Sequence, residues 1–154
     1  MLSKEEQKAF NQEFWTRFKK KMSGQRSANG RKINWLNYPT EIKSLYLRLH
    51  ADKKGTALRL DLQFRDAEVR DVYWEQMGEL KKVLESEMGT DAQWFEDCSS
   101  KEVPHFSRIE WSKEGLNYYQ EADQEQIFDF LQEKLLAFDR FYQDYKEILL
   151  FLAS

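Results

Sequence analysis

Two groups of residues in this chain have types and spacing that could do chemistry. The first is cationic. Arg17, Lys19, Lys20, Lys21, Arg26, Arg31 and Lys32 fall between Phe14 and Thr40, a stretch with no acidic residue. Clustered cations suit an anion, above all the phosphate backbone of a nucleic acid. Arg48 and Arg59, further along the chain, could extend the positive surface. The second group is Asp61 and Gln63. At i and i+2 of a strand they point to one side, as a carboxylate must beside a second polar group at a Mg²⁺ site. Glu41 and Asp52 are the upstream carboxylates that could join them.

Other chemistries have less to stand on. Cys98, His50 and His105 are the soft ligands available, with no C-x-x-C or H-x-x-x-H pairing. Zinc needs three or four converging ligands, so no metal site is expected. There is no G-x-S-x-G, and nothing near Cys98 hints at an activating base. Gly24 and Gly30 flank a basic loop without forming a phosphate-binding glycine motif. No cofactor is expected, and no residue is assigned a catalytic role outside the Asp61–Gln63 alternative.

Composition bounds the setting. The chain has 154 residues, 41% of them hydrophobic and 15% aromatic, enough for one domain over 1–154 with a large core. The single cysteine cannot form an internal disulfide, which fits a reducing, cytoplasmic location. No run of about 18 apolar residues marks a membrane span, and Met1–Glu6 lacks an apolar signal core. The net charge of −3 is uneven. Seven basic residues sit in 14–40, leaving 17 basic and 27 acidic elsewhere. A positive segment on an acidic body can orient an anionic partner. Lysines at a helix end also complement its dipole without any partner.

The elements that must position these residues follow from periodicity. Ser3 and Glu6 form an S-x-x-E start signal. Phe10, Phe14, Phe18 and Met22 then trace a helix face that ends at Ser23-Gly24. Residues 23–32 read as a loop free of apolar periodicity, with a short strand over 33–38 ended by Pro39. Leu45, Leu47, Leu49, Leu58, Leu60, Leu62 and Phe64 share one face of a hairpin. Tyr46, Arg48, His50, Arg59, Asp61 and Gln63 share the other. Asp52-Lys53-Lys54-Gly55 is the turn, with glycine expected at positive φ. One helix is expected from Asp66 to Met88, closed by Gly89, then strands near 93–97 and 105–111. A last helix should run from an Asp123–Gln126 capping pair to Leu152. Its final turns, Ile148 to Leu152, are apolar on every side and must be covered, by other elements or by a second subunit. The fold class is α+β: a mainly antiparallel sheet of about five strands with N-terminal, middle and long C-terminal helices.

The order helix, three strands, helix, strand resembles the core of the PD-(D/E)XK nucleases. Here Gln63 stands where their lysine would be. A second likeness covers most of the chain. Phe14-Trp15-Thr16-Arg17-Phe18, the leucine hairpin from Tyr46 to Phe64, Ser107-Arg108-Ile109 and the aromatic C-terminal helix resemble the bacterial domain of unknown function family four-two-six-eight. In that family the domain occurs alone or behind a nuclease-like domain. The resemblance implies a bacterial cytoplasmic module linked to DNA metabolism or restriction, and it carries no catalytic residues over.

The sequence therefore supports a non-enzymatic binding or interaction module that contacts nucleic acid through 17–32 and the polar hairpin face, and that pairs with a second copy through its C-terminal helix. The alternatives are a degenerate or active nuclease using Asp61 and Gln63, and a protein–protein adaptor using the last helix.

Overall fold

The computed structural model describes residues 1–153. Helix α1 (Lys4–Met22) starts at Ser3, whose side chain accepts from the Glu6 N–H while Glu6 binds back to the Ser3 N–H. Phe14, Phe18 and Met22 are buried, as the four-residue spacing requires. Strands β1 (Leu45–Ala51) and β2 (Gly55–Leu62) form the hairpin in the leucine register, with Leu45 opposite Leu62 and Leu47 opposite Leu60. Helices α2 (Ala67–Glu79) and α3 (Lys81–Met88), strands β3 (Gln93–Cys98) and β4 (Phe106–Glu114), and the 33-residue helix α4 (Glu121–Ala153) complete the chain.

The sheet is antiparallel, in the order β1-β2-β4-β3. Its inner face carries Leu47, Leu58, Leu60, Leu62, Ile109 and Trp111, all buried. That face packs into the aromatic side of α4, where Phe138 lies against Trp111 and Tyr142. No helix among the described residues is long and apolar enough to cross a membrane.

The architecture is α+β, with four strands in place of the expected five. Residues 33–38 do not pair. Asn34 accepts from the Leu36 N–H and caps a 3-10 turn, Trp35–Asn37. The Trp35 indole N–H then bonds the Gln25 carbonyl and ties the turn to the loop behind α1. Pro39 removes a donor that a strand would need.

Three local expectations also change. The middle helix breaks at Leu80, whose N–H reaches the carbonyls of Gln76, Met77 and Gly78 at once. The bend lets α3 lie along α4, with Lys134 donating to the Met88 carbonyl at 2.8 Å and Arg140 to Glu87 at 3.1 Å. Gly55 is needed for space, not for a positive φ: a Cβ there would collide with the Lys113 carbonyl. Helix α4 begins two residues before Asp123, whose carboxylate accepts from the Asn117 N–H, 2.9 Å away, and so anchors the incoming loop. At the far end, α2 supplies part of the cover the apolar turns need. The Tyr73 hydroxyl donates to the Leu149 carbonyl and Leu149 is buried, whereas Ile148 stays exposed.

Candidate nucleic-acid interface

The last turn of α1 carries Lys19, Lys20 and Lys21. The buried stripe of Phe14, Phe18 and Met22 fixes which of its cations face solvent and which face α4. Arg17 faces α4, donates to Gln124 at 2.9 Å and lies 5.6 Å from the Phe128 ring centre. Lys21 pairs with Asp129 at 2.9 Å and reaches Glu125 at 4.0 Å. Arg26 donates to the Gly30 carbonyl, closing its own loop. Lys19, Lys20, Arg31 and Lys32 are exposed and make no ion pair among the described residues.

The loop that carries Arg26, Arg31 and Lys32 is firmly docked. Asp139 of α4, 1% exposed, accepts from the Ser27 hydroxyl at 2.8 Å, the Ala28 N–H at 2.6 Å and the Tyr38 hydroxyl at 2.6 Å. Within the loop, Ser27 N–H binds the Arg31 carbonyl and Gly30 N–H the Ser27 carbonyl. Gly30 takes φ 85°, the left-handed region that glycine enters without strain. Burial pushes the Tyr38 hydroxyl pKa up, and the Asp139 carboxylate adds to the shift by holding its proton. Sequence reading missed Asp139. Its signal was a lone carboxylate inside an apolar stripe, between Phe138 and Phe141.

Two grooves flank the 3-10 turn. One, of about 360 Å³, has Lys19 and Lys32 on its rim and Trp35 and Leu36 in its wall. The other, of about 320 Å³, lies across Leu36 and is walled by Trp15, Tyr46 and Arg48. The basic segment and the first hairpin strand thus meet around Leu36. The Arg48 guanidinium sits 4.5 Å from the Tyr46 ring centre, so the cation and an exposed aromatic form one unit.

The rest of the outer sheet face is arranged differently. Arg59 is opposite Glu110 and donates to it at 2.6 Å. Asp61 is opposite Arg108, which grips both its oxygens at 2.7 and 3.0 Å. Arg48 adds a longer contact to Asp61 at 3.5 Å. The hydrogen bond to Asp61 holds the Arg108 pKa above its ordinary value. Gln63 lies one residue past the end of β2, and its amide oxygen accepts from Arg48. Glu41 pairs with Lys146 at 2.8 Å. Asp52 takes the Lys54 and Gly55 N–H groups and the His50 ring, which together outweigh its burial and lower its pKa. As folded, neither carboxylate joins Asp61. Cys98 is half-buried in β3, and burial raises its thiol pKa.

The family model for the domain of unknown function DUF4268 matches residues 10–146. The chain belongs to this family. No curated protein matches the chain, and no solved structure does. The DUF4268 match runs from the first buried turn of α1 nearly to the end of α4. It therefore includes the whole sheet, the docked basic loop and Asp139.

Proposed function

We propose that this DUF4268 protein binds nucleic acid, with the end of α1 and the docked loop gripping the phosphate backbone. One observation carries the reading: Lys19, Lys20, Arg31 and Lys32 remain uncompensated on a chain whose net charge is −3. Leaving like charges together costs self-repulsion, which a polyanion relieves while releasing its counterions. Trp15, Tyr46 and Arg48 beside them offer flat surfaces for bases. The acidic remainder of the surface would repel the same polyanion and so orient it. The bacterial, DNA-metabolism setting implied by the family resemblance supports the same reading. The nuclease alternative gains no such support, because Arg108 occupies both oxygens of Asp61.

Fluorescence anisotropy with labelled single- and double-stranded DNA tests this. Affinity should fall with salt, with a log–log slope of about −3 if four cations each displace a counterion. Lys19→Glu/Lys20→Glu should weaken binding by roughly a hundredfold, while the denaturation midpoint barely moves, as for other surface substitutions. Absence of binding by the unaltered protein at low salt, or equal binding by the variant, would overturn the proposal.

A further inference from the structure

We infer that the nucleic-acid track does not end at the β1 edge but continues into a second cationic hollow, lined by Lys43, Arg65 and His105, and that its ligand is a single strand. This rests on the proposed function above and extends it to residues outside the basic segment.

The hollow lies at the corner where β1 begins, β2 ends and β4 begins. Leu45 pairs with Leu62 there, and Leu62 with Ser107. The Gln63 N–H donates to the Ser44 carbonyl at 2.8 Å, closing the corner. The space is about 820 Å³, and its lining includes the cations Lys43 and Arg65, the His105 imidazole and one acid, Glu102. Lys43 and Arg65 are exposed and make no ion pair among the described residues. The backbone that presents Lys43 is held in an unusual shape. Glu41 and Ser44 take φ 67° and 75°, a region that side chains other than glycine rarely enter. Thr40 stabilises that shape, its hydroxyl donating to the Leu45 carbonyl at 2.7 Å and accepting from the Ile42 N–H. The Glu41 carboxylate, which could have opposed an anion nearby, is held by Lys146.

Arg48 connects the two sites. It walls the groove shared with Trp15 and Tyr46, and it donates to Gln63 at 3.3 Å, which lines the corner hollow. Cations therefore follow one another from Lys19 and Lys32, over Leu36 to Arg48, and on to Lys43 and Arg65. The path starts beside the helix layer and turns over the edge strand β1 onto the outer sheet face. A duplex, with a persistence length of about 50 nm, does not follow such a turn cheaply. A single strand does, and it leaves its bases free to lie on Trp15 and Tyr46.

The experiment uses labelled oligothymidylate of roughly 6 and 20 nucleotides, spanning the range of single-strand site sizes, with the full chain. Lys43→Gln/Arg65→Gln should cost roughly tenfold in affinity for the long oligomer and reduce its salt slope by about 1.4, with the short oligomer unaffected. Glu102→Gln should tighten the long oligomer. If the long oligomer binds the double variant as tightly as the unaltered protein, while Lys19→Glu/Lys20→Glu abolishes binding, the extension is wrong and the parent proposal stands. Duplex binding as tight as single-strand binding overturns the choice of ligand. Failure of the unaltered protein to bind either oligomer, with duplex still bound, overturns the single-strand extension alone; failure to bind duplex as well overturns both proposals. Thermal unfolding by circular dichroism confirms that each variant is folded.

Discussion

Two regions of this molecule are rich in arginine and lysine, and they treat their charge in opposite ways. On the outer face of β2 and β4 each arginine meets a carboxylate across the strands, Arg59 with Glu110 and Arg108 with Asp61. Cross-strand neighbours are the natural partners in a sheet, so this surface neutralises itself. At the end of α1 only the cations that face α4, Arg17 and Lys21, are engaged by it. Lys19, Lys20, Arg31 and Lys32 look outward, and no acidic residue lies within the segment that bears them. A count of basic residues does not say which of them are paired. What separates them is whether a neighbouring element brings a carboxylate within reach.

The comparison can be broken by pH. Tyr38 and Tyr142 have raised hydroxyl pKa values, chiefly from burial and, for Tyr38, also from the Asp139 carboxylate. Their folded values lie above the unfolded one. Their contribution is therefore complete below about pH 10 and is lost as pH rises through the range between the two. Stability should fall by about 1.4 kcal/mol per tyrosine for each pH unit above 10. Denaturant midpoints from pH 8 to 11.5 measure this. Hydrogen exchange should show the 23–38 region opening first, because the Tyr38 hydroxyl donates to the same Asp139 carboxylate that holds Ser27 and Ala28. Uniform opening would contradict the contrast.

A smaller effect is expected from Asp139→Asn, which turns one acceptor oxygen into a donor facing the donors it now binds. The loss should be about 2 kcal/mol, the worth of hydrogen bonds to a charged group. Amides of Ala28 and Arg31 should exchange faster while β2 and β4 keep their protection. Unchanged exchange in the loop would mean that Asp139 does not hold it.

The smallest effect sharpens the comparison. If Arg59 is silent only because Glu110 occupies it, Glu110→Gln should free it and raise DNA affinity a few-fold in low salt, by about 0.5–1 kcal/mol. No gain in anisotropy titrations would show that this part of the face lies outside the track.

Much of the local structure was legible in the sequence. The Ser3–Glu6 box, the Asp66 cap and the Gly89 stop depend on residues a few positions apart, and the hairpin register on two strands joined by one short turn, where chain connectivity already enforces contact. The segment 33–38 was misread because Asn34 offers the backbone a capping bond that competes with strand pairing. The middle helix broke at Leu80 because packing along α4 outweighed continuity.

The sequence by itself settled that leucines alternate and that a cationic stretch lacks acids. Only the tertiary structure decided which charges are spoken for. Arg108 finds Asp61 across 47 positions, and Asp139 finds Ser27 across 112. Such pairings depend on how sheet and helix are stacked, and a carboxylate that far away in the chain has no spacing rule to announce it.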